Sequence, residues 1–163
     1  MRYRDCPTTE VSERITGNCA DIWAAVTDIG FPIQFSTELW KVEWLDGADH
    51  VEVGARFRGF NRHPALGEWQ TNCRVVELEP ERRWVWQVDG EDAPMATWGF
   101  EIDPTSEGAI VRQWARMGPA PSGLTFAIRA MPEKEARIVA GRLDQWRQGM
   151  AANLAGLKAL IEG

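Results

Sequence analysis

The sequence is poor in the residues that build metal centres. Its 163 residues include only two histidines, His50 and His63, and three cysteines, Cys6, Cys19 and Cys73. These side chains are scattered along the chain and have none of the ligand spacings of a zinc site. The cysteines are odd in number and form no CxxC pair, so we expect free thiols in a reducing compartment. The sequence therefore predicts neither a bound metal nor a cofactor.

A surplus of basic charge and long apolar runs are also missing. The formal net charge is −6, which argues against binding to phosphate backbones, because such binding needs clustered Lys and Arg. No apolar run approaches the ~20 residues needed to span a bilayer. The charged start of the chain is not followed by the apolar stretch of a signal peptide. We therefore expect a cytoplasmic protein with no nucleic-acid partner and no integral membrane segment.

Tryptophan, in contrast, is abundant. Nine tryptophans stand beside a single tyrosine, in a chain with 44% hydrophobic and 26% charged residues. This composition and length predict one globular domain over residues 1–163. Tryptophan combines a large apolar ring with one N–H donor, so it fills cores and lines pockets for flat or apolar ligands. For any single tryptophan, plain core packing is the more frequent role.

Alternation of apolar and polar residues dominates the middle of the chain. Trp40, Val42 and Trp44 alternate with charged residues, which is the pattern of a half-buried strand. Turns such as Asp46-Gly47 separate segments of this kind, so we expect an antiparallel meander. The period of two predicts about seven strands, at residues 9–16, 39–44, 55–60, 69–75, 84–88, 97–102 and 110–117.

Apolar residues at a spacing of three and four predict helices on either side of this region. Asn18 is a good N-cap residue for a helix over residues 19–29, which a shorter helix over 32–37 follows. A loop at 118–124 precedes a long amphipathic helix over 132–160. Its apolar stripe consists of Val139, Leu143, Trp146, Met150, Leu154, Leu157 and Ile161. The sequence thus predicts an α+β fold of β-α-α-β6-α order, in which a curved antiparallel sheet packs around the long helix.

Several short motifs resemble one superfamily. Ile22-Trp23 followed by Asp28 is similar to the apolar-Trp-Asp pattern of its first helix. Further segments match in order, at residues 54–59 (GARFRG), 61–62, 69, 73–76 (CRVV), 79–80, 96–101 (ATWGFE) and 108–111. Over residues 10–162 their order and spacing resemble the helix-grip superfamily, also called SRPBCC or START-like, and most closely its actinobacterial polyketide cyclase/dehydrase subgroup.

This resemblance implies both a fold and a range of functions. Members of the superfamily have the helix-grip fold and bind sterols, lipids, polyketides or plant hormones in an internal pocket, and some members are catalytic. A shared fold does not identify a reaction. The resemblance therefore predicts a pocket for a small hydrophobic molecule and leaves its chemistry open.

The predicted hairpin of the third and fourth strands holds informative polar residues. Phe57, Gly59 and Asn61 share one face, and Trp69 and Thr71 lie across from them. An asparagine that faces an apolar cavity needs a partner, or it costs about 1–3 kcal/mol. Asn61 and Thr71 therefore either orient a carbonyl or hydroxyl of a ligand, or Asn61 caps the end of the hairpin.

Gln113 has two candidate orientations in the last predicted strand. Ile110 and Trp114 favour one inward face, whereas Val111 and Ala115 favour the other, and only the second makes Gln113 a polar residue of the cavity. The predicted ligand-binding set lies on the middle strands, the second helix and the long helix. It comprises Phe35, Phe57, Asn61, Trp69, Thr71, Trp84, Trp86, Trp98, Gln113, Trp146 and Met150.

Two functions of different class fit these observations. In the first, the protein binds or carries a small hydrophobic molecule such as a lipid, sterol or polyketide. In the second, it is an enzyme resembling polyketide cyclases or dehydratases, in which Asn61, Thr71, Gln113 or Arg58 polarise carbonyls of a folded poly-ketone. No catalytic set is identified, and His63 is expected in solvent at the rim. Two or more ionisable groups converging in the cavity would favour the enzyme.

A partner-binding domain without a pocket is a third possibility, and a homodimer is compatible with all three.

Overall fold

The alternating segments of the sequence build one antiparallel sheet. In the computed structural model, which describes residues 1–163, seven strands pair in the spatial order β1-β7-β6-β5-β4-β3-β2. The sheet curls into a half-barrel around the C-terminal helix, which confirms the predicted helix-grip fold. The strands are β1 (Thr8–Thr16), β2 (Leu39–Trp44), β3 (Arg56–His63), β4 (Gly67–Glu79), β5 (Arg83–Asp89), β6 (Pro94–Pro104) and β7 (Gly108–Met117).

The register of the sheet decides which side chains share a face. In the β3–β4 pair, Gly59 lies opposite Thr71, and Asn61 lies opposite Trp69. Paired residues point to the same face of an antiparallel sheet, so these residues all belong to the concave face, as the hairpin pattern predicts. The connection between β3 and β4 is shorter than the predicted loop at 63–67, because both strands continue to the pair formed by His63 and Gly67.

Three α-helices accompany the sheet: α1 (Cys19–Val26), α2 (Gly123–Ala130) and α3 (Glu135–Glu162). The Asn18 side chain caps α1 by accepting a hydrogen bond from the Ala20 N–H at 2.7 Å. The predicted helix over 19–29 is too long at its end, because the chain leaves the helix at Thr27. A 3-10 turn, Phe31–Gln34, stands where the sequence predicted a short helix over 32–37.

Helix α2 was not predicted, because it leaves a weak trace in the sequence. It is eight residues long, and none of its residues is fully buried. Ser122 caps it by accepting a hydrogen bond from the Leu124 N–H at 3.2 Å. Phe126 points into solvent, with 78% of its surface exposed. The predicted start of the long helix at residue 132 is a 3-10 turn, Pro132–Lys134, and α3 follows it directly.

The main core lies between the concave face of the sheet and one face of α3. Leu154 and Leu157 of α3 are fully buried and belong to the same cluster as Ile15 and Val111 on the strands. Burying side chains of this size contributes roughly 1.5–3 kcal/mol each. Helix α1 is tied to the same core, because the indole N–H of Trp84 donates to the Val26 carbonyl at 2.9 Å. No helix is both long enough and apolar enough to cross a membrane.

Strand β7 has apolar residues on both faces, which explains the ambiguity in its predicted orientation. Val111, Gln113 and Ala115 are buried on the inner side. On the outer side, the Trp114 ring lies so close to Gly99 of β6 that a Cβ there would come within 2.6 Å of it. The second of the two orientations is therefore the observed one, and it directs Gln113 inward.

Candidate functional site

A cavity of about 560 Å³ lies between the concave sheet and α3. Fifteen of its 29 lining residues are hydrophobic. The lining residues Thr37, Gln145 and Gln148 are exposed, so they mark a mouth between α3 and the segment before β2. The lining residues Phe100 and Asn153 are buried and mark the interior. The cavity falls within the range of about 300–1,000 Å³ that is usual for small-molecule sites.

Stacked aromatic rings form one wall of this cavity. The ring centroids of Trp84 and Trp86 are 4.3 Å apart and their planes differ by 26°. Trp98 continues the series, 6.4 Å from Trp86 with an interplanar angle of only 10°. The alternation of β5 and its pairing with β6 place these rings side by side, because Trp86 lies opposite Trp98 in the sheet. The result is a continuous stack of apolar rings along one side of the cavity.

Helix α3 extends the aromatic surface across the cavity. The Trp146 ring lies 4.8 Å from Trp98, with the two planes inclined by 50°. Met150, one turn further along α3, is fully buried and also lines the cavity. On β3, the ring centroid of Phe57 lies 6.5 Å from those of Trp84 and Trp86. Aromatic side chains from β3, β5, β6 and α3 thus converge on one space.

The structure brings together all but one of the residues that the sequence proposed for ligand binding. The lining includes Phe35, Phe57, Asn61, Thr71, Trp84, Trp86, Trp98, Gln113, Trp146 and Met150. Trp69 is not among the lining residues. It lies on the correct face of β4, opposite Asn61, but nearer the end of the hairpin. Its ring packs beside the Arg142 guanidinium instead, at 5.9 Å.

Two amide side chains form the polar part of the interior. Asn153 on α3 donates from Nδ2 to Oε1 of Gln113 at 3.1 Å. Only 3% of Gln113 and 7% of Asn153 is exposed. The Oδ1 atom of Asn153 is buried without a hydrogen-bond partner. A buried polar atom without a partner costs about 1–3 kcal/mol, so this amide pair has an unfilled hydrogen-bonding position.

Sequence reasoning missed Asn153, although a signal was present. Asn153 follows Met150 by three residues and precedes Leu157 by four, so it lies within the apolar stripe of α3. A polar residue in such a stripe is buried, and a buried amide needs partners. The predicted stripe included only the hydrophobic residues of α3 and left out this polar one.

An ion pair stands beside the mouth of the cavity. The Arg142 guanidinium on α3 donates to both carboxylate oxygens of Glu38, at 2.8 and 2.9 Å. The guanidinium also lies 5.9 Å from the ring centroids of Trp69 and of Trp146. Side-chain exposure is 15% for Arg142 and 21% for Glu38. This contact joins the segment before β2 to α3 across one side of the mouth.

The ionisable groups that line the cavity are Asp28, Glu38, His63 and Cys73. Burial raises the pKa of the Cys73 thiol to about 12, so it stays protonated at neutral pH and is a poor nucleophile. His63 accepts a hydrogen bond from the Ala65 N–H at Nδ1, 3.0 Å away. This bond engages Nδ1 and leaves Nε2 as the ring nitrogen without a protein partner.

The carboxylates are also engaged. Glu38 is paired with Arg142, and Asp28 accepts a hydrogen bond from the Gly30 N–H at 2.9 Å and is exposed. Arg58, a candidate for polarising carbonyls, lies outside the cavity, where it bonds to Asn72 and Glu43 at 2.9 and 3.3 Å. The cavity therefore contains no pair of free acid and base groups.

A second recess of about 490 Å³ lies between α1 and the loop before β3. Trp23 and Trp44 contribute apolar surface, and Asp49 and His50 contribute charge. His50 is exposed and paired with Asp49 at 2.6 Å and Glu52 at 3.1 Å. The hydrogen bond that the His50 ring donates to the Asp49 carboxylate raises the pKa of His50. This recess has fewer lining residues than the main cavity, and it lies on the outer side of the core.

Solved structures share this architecture over nearly the whole chain. A Polyketide_cyc-like protein, Cgl2372 from Corynebacterium glutamicum, is 26% identical, with a TM-score of 0.67 and 95% and 91% of the two chains covered. The di-domain ARO/CYC protein StfQ from the steffimycin biosynthetic pathway has a TM-score of 0.70 at 17% identity, over 95% of this chain and 50% of that one. The Aha1 dimer from Colwellia psychrerythraea has a TM-score of 0.58 at 16% identity, with 96% of both chains covered.

Sequence comparison gives the family directly. No curated protein matches the sequence. The sequence profile of the family described as "Polyketide cyclase / dehydrase and lipid transport" matches residues 7–162. This match spans every strand of the sheet and the whole of α3. The chain therefore belongs to the polyketide cyclase/dehydrase and lipid transport family.

Proposed function

We propose that the protein binds a small hydrophobic molecule, such as a lipid, a sterol or a polyketide, inside the main cavity. The observation that carries the proposal is the stacked aromatic wall, in which Trp84, Trp86 and Trp98 bound a space of about 560 Å³. Burial of apolar surface contributes roughly 25 cal/mol per Å². Because these rings pack against one another, little of this energy is spent on ordering side chains.

Family membership supports the same function. The description of the family names both cyclisation or dehydration of polyketides and lipid transport, and each of these activities needs an internal site for an apolar molecule. The binding roles of the lining residues, the cytoplasmic location and a homodimer stay predictions from the sequence.

A cyclase or dehydratase activity is the second candidate, because the family description names it. In such an enzyme, Asn61, Thr71 and Gln113 would orient the carbonyls of a folded chain. Holding reacting groups close together contributes about 7–11 kcal/mol to an intramolecular closure. The engaged state of Glu38 argues for binding as the primary function, because proton transfer needs a free acid or base within reach.

Native mass spectrometry of freshly purified protein tests the proposal. We expect an added mass that is released on denaturation and that extraction identifies as an apolar small molecule. Protein that carries nothing, and that then binds none of a panel of sterols, fatty acids and aromatic polyketides, would contradict the proposal. Conversion of a bound polyketide into a product of different mass would favour the enzyme.

A further inference from the structure

Helix α2 presents a large apolar side chain to solvent. Leu124 and Ile128 lie about one turn apart on this helix and pack against a small buried cluster beside α3. Phe126 lies on the opposite side of α2, where 78% of its surface is exposed. Met131, which ends the helix, is exposed as well. Because the packed face and the Ser122 cap hold α2 in place, these two apolar side chains are fixed on the outside of the protein.

Basic side chains accompany this apolar surface. Arg129 shares the outer side of α2 with the exposed phenylalanine, three residues further along the helix. Lys134 and Arg137 follow in the turn before α3 and in its first turn. All three are exposed, and none forms an ion pair, in contrast to Arg142 and Arg147 further along α3. Their charges are therefore free to attract an anionic partner.

The first residues of the chain add two more basic side chains at the same end of the molecule. The Tyr3 backbone N–H donates to the Glu135 carboxylate at 2.9 Å, and the Tyr3 hydroxyl donates to the Ala120 carbonyl at 2.6 Å. These bonds hold the segment beside α2 and the start of α3. Arg2 and Arg4 flank the tyrosine, and both are exposed and form no ion pair.

The combined surface is basic on a protein that is acidic as a whole. Its five basic side chains stand beside only three acidic ones, Asp5, Glu133 and Glu135, whereas the formal net charge of the chain is −6. Glu135 is also engaged by the Tyr3 N–H. We call this region the α2 surface, and it consists of Phe126, Met131, Arg2, Arg4, Arg129, Lys134 and Arg137.

The chemistry of the α2 surface suits a lipid bilayer better than a folded protein. Its two apolar side chains are too few for the packed centre of a protein interface of standard size, and lysine is depleted at such interfaces. A bilayer interface has no fixed shape, so it accepts a single inserted ring together with mobile basic side chains. Anionic headgroups attract exposed Lys and Arg.

We propose that the α2 surface docks the protein on an anionic lipid bilayer, with Phe126 inserted at the interface and the basic side chains among the headgroups. Trp146 packs against the same buried cluster as Leu124 and Ile128, and it also lines the main cavity. The docked surface therefore adjoins the cavity. The inference goes beyond the proposed function, because it concerns the outside of the protein and requires no ligand inside it.

Co-sedimentation of the full chain with lipid vesicles tests the proposal. Vesicles of phosphatidylcholine in which about one third of the lipid is phosphatidylglycerol are compared with vesicles of phosphatidylcholine alone. We expect the protein to bind the anionic vesicles at least about tenfold more tightly than the neutral ones. Because salt screens exposed charges, about 0.5 M NaCl should remove most of this preference.

Two variants separate the apolar and the basic contributions. Phe126→Ser removes the inserted ring, and the double variant Arg129→Gln with Lys134→Gln removes two of the charges. All of these side chains are exposed, so thermal unfolding should hardly change. We expect each variant to bind the anionic vesicles about tenfold more weakly than the unmodified protein.

The matched controls change similar residues outside the α2 surface. Val53→Ser removes an apolar side chain that is 62% exposed, in the loop before β3. Arg74→Gln with Arg82→Gln removes two exposed basic side chains that form no ion pair. Both controls should bind the anionic vesicles as tightly as the unmodified protein.

The outcomes separate this inference from the proposed function. Lack of binding to the anionic vesicles would overturn it, as would equal binding to neutral ones or equal losses in the variants and their controls. Self-association that Phe126→Ser abolishes, without vesicle binding, would assign the surface to a second copy of the chain and overturn it as well. None of the substituted residues lines the cavity, so binding of pyrene in the cavity tests the proposed function separately and should be unchanged in every variant.

Discussion

Arg142 and Glu38 lie 104 residues apart in the sequence and meet at the mouth of the cavity, where two hydrogen bonds of 2.8 and 2.9 Å join them. Their pairing links α3 to the segment that precedes β2. A ligand that enters beside Gln145 and Thr37 passes this contact. The ion pair is therefore positioned to slow the exchange of the ligand as well as to stabilise the fold.

Replacing Arg142 by Met tests the role of this ion pair. Methionine keeps an apolar stem against Trp69 and Trp146 but removes both hydrogen bonds and leaves the Glu38 carboxylate unpaired. We expect the free energy of unfolding to fall by about 1–3 kcal/mol. The dissociation rate of a bound pyrene probe should rise severalfold, which stopped-flow fluorescence measures.

The matched control is Arg147→Met on the same helix. Arg147 pairs with Asp144 at 2.7 Å, but about half of each side chain is exposed. Exposed pairs of this kind contribute about 0–1 kcal/mol, so stability and ligand exchange should hardly change. Equal effects of the two variants would show that the mouth pair has no special role.

Phe35 packs against the backbone of Gly156, and a second prediction follows from this contact. A Cβ on Gly156 would overlap the Phe35 ring. Gly156→Ala should therefore displace the ring from the cavity wall and destabilise the protein by about 1–3 kcal/mol. This effect outweighs the gain of about 1 kcal/mol that alanine usually brings to a helix. Urea denaturation measures the difference.

Gly141 provides the control for Gly156, because it lies on the same helix and a Cβ there meets no atom within 4 Å. Gly141→Ala should stabilise the protein by up to about 1 kcal/mol. If both alanine variants were equally stabilising, the packing of Phe35 against α3 would be wrong.

The pKa of Cys73 predicts a loss of stability in alkaline solution. The thiol has a pKa of about 12 in the folded protein, against an ordinary value of 9.0, because it is buried. Below pH 9 the thiol is protonated in both states. Between pH 9 and 12 only the unfolded thiol ionises, so each pH unit removes up to about 1.4 kcal/mol of stability.

Denaturation of the wild type and of Cys73→Ala at pH 8 and pH 10 measures this effect. We expect the stability difference between the two proteins to change by about 1 kcal/mol across this range, with the wild type losing more. Alkylation by iodoacetamide adds a second readout, since Cys6 and Cys19 are partly exposed and should react first. An unchanged difference between the two pH values would contradict the buried state of the thiol.

The sequence predicted the sheet well because each strand has one dominant apolar face. The period of two in β3, β5 and β6 specifies which residues face inward, and the structure confirms this orientation. The orientation of β7 could not be predicted in this way, because Trp114 covers Gly99 on the outer side and gives the strand a second apolar face. Helix α2 was not predicted, because a short, partly exposed helix needs no regular apolar stripe.

For the candidate site, the periodicity of the sequence predicts which face of a strand or helix each residue occupies, and nothing more. Alternation identifies the face on which Trp69 lies, but it does not show how far along the strand the cavity extends, and the lining ends before Trp69. The pairs Asn153–Gln113 and Arg142–Glu38 depend on tertiary packing between α3 and distant segments. No local pattern in a single sequence encodes contacts of this kind.

The most direct test of ligand binding in this cavity is a titration of pyrene into the wild type and into a Thr71→Phe variant. Thr71 lines the cavity on β4, and phenylalanine is well tolerated in a strand, so the variant fills the space while the sheet stays intact. We predict saturable, one-to-one binding to the wild type and at least tenfold weaker binding to Thr71→Phe. Equal affinity for the two folded proteins would contradict a ligand site in the cavity.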